Sequence, residues 1–179
     1  MQSPDLSQNY FELFGLNPVF DIDSKRLHAA QQQLQANFHP DRYVSSSDRE
    51  KRISVQMASH VNQAYETLRD PVKRSRYLLE ITGVAMPDDS ATTSDTTFLM
   101  EQIELREEID ACRDCEDALD RCERIAVKLK QRLDELAQDF VAEFDARNFA
   151  AALENSRKMQ FIQRIQQQLS ELQFELEDF

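Results

Sequence analysis

Apolar residues recur at three- and four-residue intervals along most of this chain, and the breaks in that rhythm divide it into helices. Leu27, Ala30, Leu34 and Phe38 form one stripe behind the capping candidates Asp23 and Ser24. Pro40 ends it, because a proline disfavours helical geometry at the residue before it. Met57, Val61, Ala64 and Leu68 form a second stripe, after the polar stretch Ser45 to Asp48 and up to Asp70-Pro71. Together they predict an antiparallel helical hairpin. Tyr10, Phe11 and Phe14 before Gly15 predict a shorter helix in front, and Val72, Tyr77, Leu78 and Ile81 before Gly83 another behind. Residues 1–82 therefore read as a four-helix unit.

Residues 83–97 contain the last glycine and last proline of the chain and a run of Asp, Ser and Thr, and read as a linker. Beyond them, residues 98–179 must separate their helices with Asp or Asn, and Asp114 and Asn148 are the expected breaks. Three long helices in a bundle are the simplest arrangement. The last carries Ile162, Ile165, Leu169, Leu172, Leu176 and Phe179 as a heptad seam, which fits a bundle core or, alternatively, a dimeric coiled coil.

The helix that opens the bundle has two apolar sides. At about 100° per residue, Phe98, Leu105 and Ile109 cluster within about 40°, while Leu99, Ile103 and Met100 fall on another side with Glu107 among them. The first set suits the core. The second either packs elsewhere in the protein or binds a partner, and Phe161, one position off the last helix's seam, could extend it into a surface rimmed by Glu104 and Glu107.

With only 2 Gly and 5 Pro among 179 residues, tight turns are few and the fold class is all-α. Residues 1–80 carry ten basic and ten acidic side chains, but residues 81–179 carry eleven and 23, so the net charge of −12 belongs to the second part. A phosphate backbone would be repelled there, which argues against nucleic acid as a partner. The longest uninterrupted apolar run, Phe149 to Leu153, is too short to span a membrane, and the chain starts without a basic, then apolar, leader. A cytoplasmic protein is expected, and an odd count of three cysteines fits a reducing compartment.

The tripeptide His39-Pro40-Asp41 is weak evidence alone, but it falls at the tip of the predicted hairpin. There Pro40 fixes its own φ and forces His39 out of helical geometry, presenting a ring and a carboxylate on a stiff corner. Such a pair is either a binding motif, a local turn or an acid-base pair. An enzyme would need a nucleophile or metal cluster converging on it, and residues 1–82 hold neither cysteine nor a Gly-rich phosphate loop.

Here the chain resembles the J-domain. The resemblance runs over residues 8–81: Tyr10, Phe11, Leu13 and Gly15-Leu16, then His39-Pro40-Asp41-Arg42, then Asn62 to Pro71, then Arg74-Ser75-Arg76-Tyr77. It implies docking to a DnaK-type chaperone and stimulation of its ATPase, with Asp41 meeting a basic group and His39 and Pro40 shaping the loop. Lys25, Arg26 and Arg42 would add positive charge. One departure weakens the steering: J-domains commonly carry several basic residues where this chain has Gln31, Gln32, Gln33, Gln35 and Asn37.

Phe98 to Glu108, Arg157-Lys158-Met159-Gln160-Phe161 and Asp178-Phe179 resemble the HscB-type J-domain co-chaperones of iron–sulfur cluster biogenesis. That resemblance implies a co-chaperone, without catalysis or cofactor of its own, that binds an IscU-like scaffold protein and delivers it to an HscA-like chaperone. A J-protein for another client, and a structural helical protein with an accidental triplet, are the alternatives. Cys112-Arg113-Asp114-Cys115 has ligand-like spacing, but Cys115, Leu119, Cys122, Ala126, Leu129, Leu133 and Leu136 alternate as a packing seam, so buried thiols and no metal are expected.

Overall fold

The structure, a computed structural model, describes residues 8–43, 47–86, 95–113, 115 and 117–177. The chain divides into two compact units, residues 1–83 and 84–179. Both are helical, and no strand occurs among the described residues, so the fold is all-α.

In the first unit, α1 (Tyr10–Leu13), α2 (Ser24–Phe38), α3 (Asp48–Arg69) and α4 (Pro71–Ile81) each begin at a residue that answers the unpaired amides of a first turn. Asn9 with Glu12 and Ser47 with Glu50 form capping boxes, Asp23 accepts from the Lys25 and Arg26 amides, and Asp70 caps α4 with Pro71 as its first residue. Gly15 and Gly83, at φ of 63° and 83°, take the left-handed geometry that follows α1 and α4.

The α3 stripe is fully internal, with Met57, Val61, Ala64 and Leu68 all at most 1% exposed. In α2 only Leu27 is buried, while Ala30, Leu34 and Phe38 are half-buried. Polar pairs complete that helix contact: His28 Nδ1 lies 3.3 Å from the Tyr65 hydroxyl, and Gln35 donates to Asn62 at 2.9 Å. The Tyr77 hydroxyl accepts the Tyr10 amide at 2.8 Å, and the two rings stack at 4.4 Å, which fixes α1 against α4.

The second unit consists of α5 (Thr96–Asp110), α6 (Ala118–Asp145) and α7 (Phe149–Glu177). The last two form a helical hairpin. Asn148 was the expected break, but the left-handed residue is Arg147, at φ 59°. The Asn148 amide reaches the Glu143 carbonyl at 2.8 Å and the Arg147 amide the Phe144 carbonyl at 3.0 Å, the bond pair of a Schellman cap without its usual glycine. The other expected break, Asp114, lies outside the described residues, as do most of the Asp/Ser/Thr run, Asp178 and Phe179. Helix α5 starts at Thr96, because Asp95 accepts the Phe98 amide at 3.1 Å.

The core of this unit includes Phe98, Leu105, Phe140 and Met159, with Ile162, Ile165, Leu169 and Leu172 from the expected α7 seam. Leu176 of that seam is half-buried.

Candidate functional site

Helix α2 ends at Phe38, and His39 leaves it with φ −59° and ψ 127°, the extended geometry imposed by the following proline. A single 3₁₀ turn, Pro40–Tyr43, follows at once, closed by the Arg42 amide on the His39 carbonyl at 3.0 Å. The Asp41 amide donates to His39 Nδ1 at 3.3 Å, which fixes the ring against the backbone of the turn. The Asp41 carboxylate is 3.5 Å from the same nitrogen, and the two side chains remain 59% and 86% exposed. Ring and carboxylate are thus held as a pair yet left open to solvent.

The corner is fastened from behind. Arg42 donates to the Ala36 carbonyl at 3.0 Å and meets Asn37 Oδ1 at 3.5 Å, and the Tyr43 hydroxyl donates to the Asn37 carbonyl at 3.2 Å. These bonds satisfy carbonyls that the end of α2 leaves without helical partners. Arg42 therefore caps a helix besides adding charge, and Tyr43 joins it in a role that sequence reading missed. Arg26 is also engaged, donating to the Gly15 carbonyl at 2.7 Å, while Lys25 lies exposed in the first turn of α2.

On α5 the expected core residues Phe98, Leu105 and Ile109 are buried. Leu99 is half-buried, Met100 is 62% and Ile103 58% exposed, and Glu104 and Glu107 face solvent. Helix α5 is tied down on both flanks. Arg132 of α6 grips Glu101 through two bonds of 2.8 and 3.1 Å, Lys128 meets Glu108 at 2.8 Å, and Lys158 of α7 meets Asp95 at 2.6 Å. Phe161 differs from expectation: it is half-buried, its ring edge-on to Phe98 at 5.7 Å with the Arg106 guanidinium 5.5 Å above it. It thus joins the core's margin instead of standing clear of the bundle, because its position off the α7 seam faces α5. Arg106, which covers it, was not among the expected residues.

The cysteines do not share the expected seam. Helix α6 begins only at Ala118, so Cys115 lies in the connection before it and Leu119 is 40% exposed. The buried stripe is Ala118, Cys122, Ile125, Leu129, Leu136 and Phe140. Cys112 and Cys122 are buried and Cys115 is half-buried, all three as free thiols. Among the described residues, no three His, Cys, Asp or Glu side chains are grouped to hold a metal, and no helix is long and apolar enough to cross a membrane.

A family model described as the HSCB C-terminal oligomerisation domain matches residues 94–170. The co-chaperone protein HscB of Proteus mirabilis is 34% identical over 170 residues, covering 95% of this chain and 98% of that protein. The chain belongs to the HscB co-chaperone family. The HscB structure from Vibrio cholerae superposes with a TM-score of 0.85 at 33% identity, covering 94% of this chain and 99% of that one. The human HscB structure gives 0.86 at 30% identity, covering 95% and 84%. The protein is accordingly a co-chaperone of iron–sulfur cluster biogenesis. Its HscB character rests on both units, since the Proteus mirabilis relative and the two HscB structures each span nearly the whole chain.

Proposed function

We propose that the protein works in the cytoplasm, docking an HscA-like DnaK-type chaperone through residues 1–82 while residues 98–179 hold an IscU-like scaffold protein, with residues 83–97 joining the two. The observation that carries this reading is the pairing of a fastened, solvent-facing His39-Asp41 corner in one compact unit with an exposed apolar helix face in the other. On the chaperone side, His39, Pro40 and Asp41 make the contact and the Asp41 carboxylate accepts from a basic group of the partner. Fastening by Arg42 and Tyr43 lowers the entropy lost when the loop docks. Lys25, Arg26 and Arg42 are all exposed and add positive potential, although the latter two also serve backbone carbonyls.

ATP is bound and cleaved by the partner; this protein shifts the partner's conformational equilibrium and carries no cofactor or catalytic group. On the client side, Leu99, Met100 and Ile103 supply apolar area, with Phe161 behind them and Glu104 and Glu107 as a polar rim. Met100 lets the surface adapt to the shape it meets.

The deciding experiment measures ATP turnover of an HscA-like chaperone with scaffold and either wild type or His39→Gln. Stimulation is expected to vanish with the variant while its circular dichroism and scaffold affinity stay at wild-type values, because the ring lies on an exposed corner of the other unit. Normal stimulation by His39→Gln would overturn the chaperone half, and absence of any complex between wild type and scaffold would overturn the client half.

A further inference from the structure

The three cysteines gather where α5 turns towards α6, and their surroundings differ in a way that assigns them different chemistry. Cys115 is half-buried, and its sulfur accepts a hydrogen bond from Arg121 Nη1 at 2.7 Å while its own hydrogen is directed at the Ala111 carbonyl, 3.0 Å away. Arg121 is also 3.8 Å from the Asp117 carboxylate, which keeps the guanidinium on this side of the turn. A peroxide reaches the accessible sulfur first, and the hydrogen bond from Arg121 holds that sulfur in place at the turn. Cys112 is the opposite case: it is 1% exposed, with its thiol directed at the Glu108 carbonyl at 3.2 Å. Burial first, and then the neighbouring Cys122 thiol, push the Cys112 thiol above its ordinary range, so it keeps its proton and does not meet the oxidant first.

The backbone brings the two together. The Cys115 amide donates to the Cys112 carbonyl at 3.3 Å, closing a turn from one cysteine to the other. Such a turn holds its end Cα atoms within about 7 Å, and a disulfide needs roughly 4.4–6.8 Å. A cavity of about 300 Å³ lined by Cys112, Arg121, Arg124 and Ile125 gives the Cys112 sulfur room to leave its buried position.

We infer that Cys115 and Cys112 form a peroxide-reactive pair, in which Cys115 is oxidised by a small hydroperoxide and Cys112 resolves the product to a disulfide. The Cys115 thiolate attacks the terminal peroxide oxygen, the O–O bond breaks, and the oxygen left behind leaves as water or an alcohol after taking a proton. Cys115 is then a sulfenic acid. The Cys112 sulfur attacks it, the S–S bond forms as the S–O bond breaks, and the Cys112 proton leaves with the hydroxide as water. Two thiols lose two electrons to one peroxide. Cys122, buried at 0% exposure on the α6 core stripe, takes no part.

The test treats the reduced full-length protein with hydrogen peroxide, alkylates the remaining thiols and reads intact mass and linked peptides. Wild type is expected to lose two of its three alkylatable thiols and yield a Cys112–Cys115 link. Cys115→Ser should keep both remaining thiols, Cys112→Ala should leave a sulfenic acid on Cys115 that dimedone captures, and Arg121→Ala should slow the reaction several-fold. Cys115 is solvent-accessible, so its replacement spares the fold whatever Cys112→Ala does. Three thiols still alkylated in wild type, equal oxidation of Cys115→Ser, or a link that maps to Cys122 would each overturn the assignment.

Discussion

Residues 1–83 expose a histidine and a carboxylate on a corner, whereas residues 84–179 expose a methionine and an isoleucine on the face of a helix. Their supports differ accordingly. The corner is fixed by short directional bonds, from Arg42 and Tyr43 to the carbonyls ending α2, because a polar contact loses its strength when its geometry drifts. The helix face needs no such aim. Apolar burial is non-directional, so it suffices that α5 as a whole is held, which Arg132, Lys128 and Lys158 do through ion pairs with Glu101, Glu108 and Asp95. Charge follows the same division: the first 80 residues are neutral overall and the remainder carries the excess of acid.

The comparison breaks most visibly at the client face. Replacing Leu99, Met100 and Ile103 together by Ala should weaken scaffold binding at least roughly tenfold, with helix content and ATPase stimulation in the absence of scaffold unchanged. Phe161→Ala should instead cost both affinity and about 1–2 kcal/mol of stability, because its ring packs against Phe98 and under Arg106. Calorimetric titration with urea unfolding of the same samples separates the two. Triple-variant affinity equal to wild type would remove the face from the site.

What the sequence made legible follows from how local each signal is. The hairpin corner was readable because Pro40 acts on its immediate neighbours, and the two-sided character of α5 because Phe98 to Ile109 lie on one uninterrupted helix. The α6 stripe was misread because two four-and-three series share Cys122, Leu129 and Leu136. Only the start of the helix at Ala118 decides between Ala118-Cys122-Ile125 and Cys115-Leu119-Cys122, and no glycine or proline announces that start. The capping by Arg42 and the cover of Phe161 by Arg106 were invisible for another reason. Long flexible side chains choose partners by proximity in space, which periodicity does not encode.

Reliance on single directional contacts should also make the first unit sensitive to Arg74. Its guanidinium donates to the Leu68 carbonyl near the end of α3, lies 4.8 Å above the Phe20 ring, and is held below its usual arginine range chiefly by burial. Arg74→Met keeps the stem and removes those contacts, with an expected loss of about 2 kcal/mol in urea unfolding. An unchanged midpoint would show that packing alone carries this unit.

A gain is expected where the second unit lacks a glycine. Arg147 occupies the left-handed position between α6 and α7, exposed, at φ 59°. Removing its Cβ relieves a conformational cost of about 1 kcal/mol, so Arg147→Gly should raise the unfolding midpoint, whereas Arg147→Ala should not. Equal effects of the two would assign the change to the lost side chain instead of the backbone.

The smallest effect concerns the ion pair at the start of α5 and appears as a dependence on pH. The Asp95 carboxyl lies below its ordinary value, mainly through the hydrogen bond from Lys158 and then through the Phe98 amide. A carboxyl depressed on folding contributes stability that is fully present above its unfolded value, 3.8, and is lost as pH falls through the lower folded value. Asp95→Asn preserves the cap, since Asn is as good an N-cap as Asp, and removes only the charge facing Lys158. Wild type should therefore exceed the variant in stability above pH 3.8, and the two should converge in stronger acid. Urea unfolding of both proteins across the acid range reads the difference directly. A gap that persisted unchanged into strong acid would mean that Asp95 acts on α5 through the shape of its cap and not through its charge.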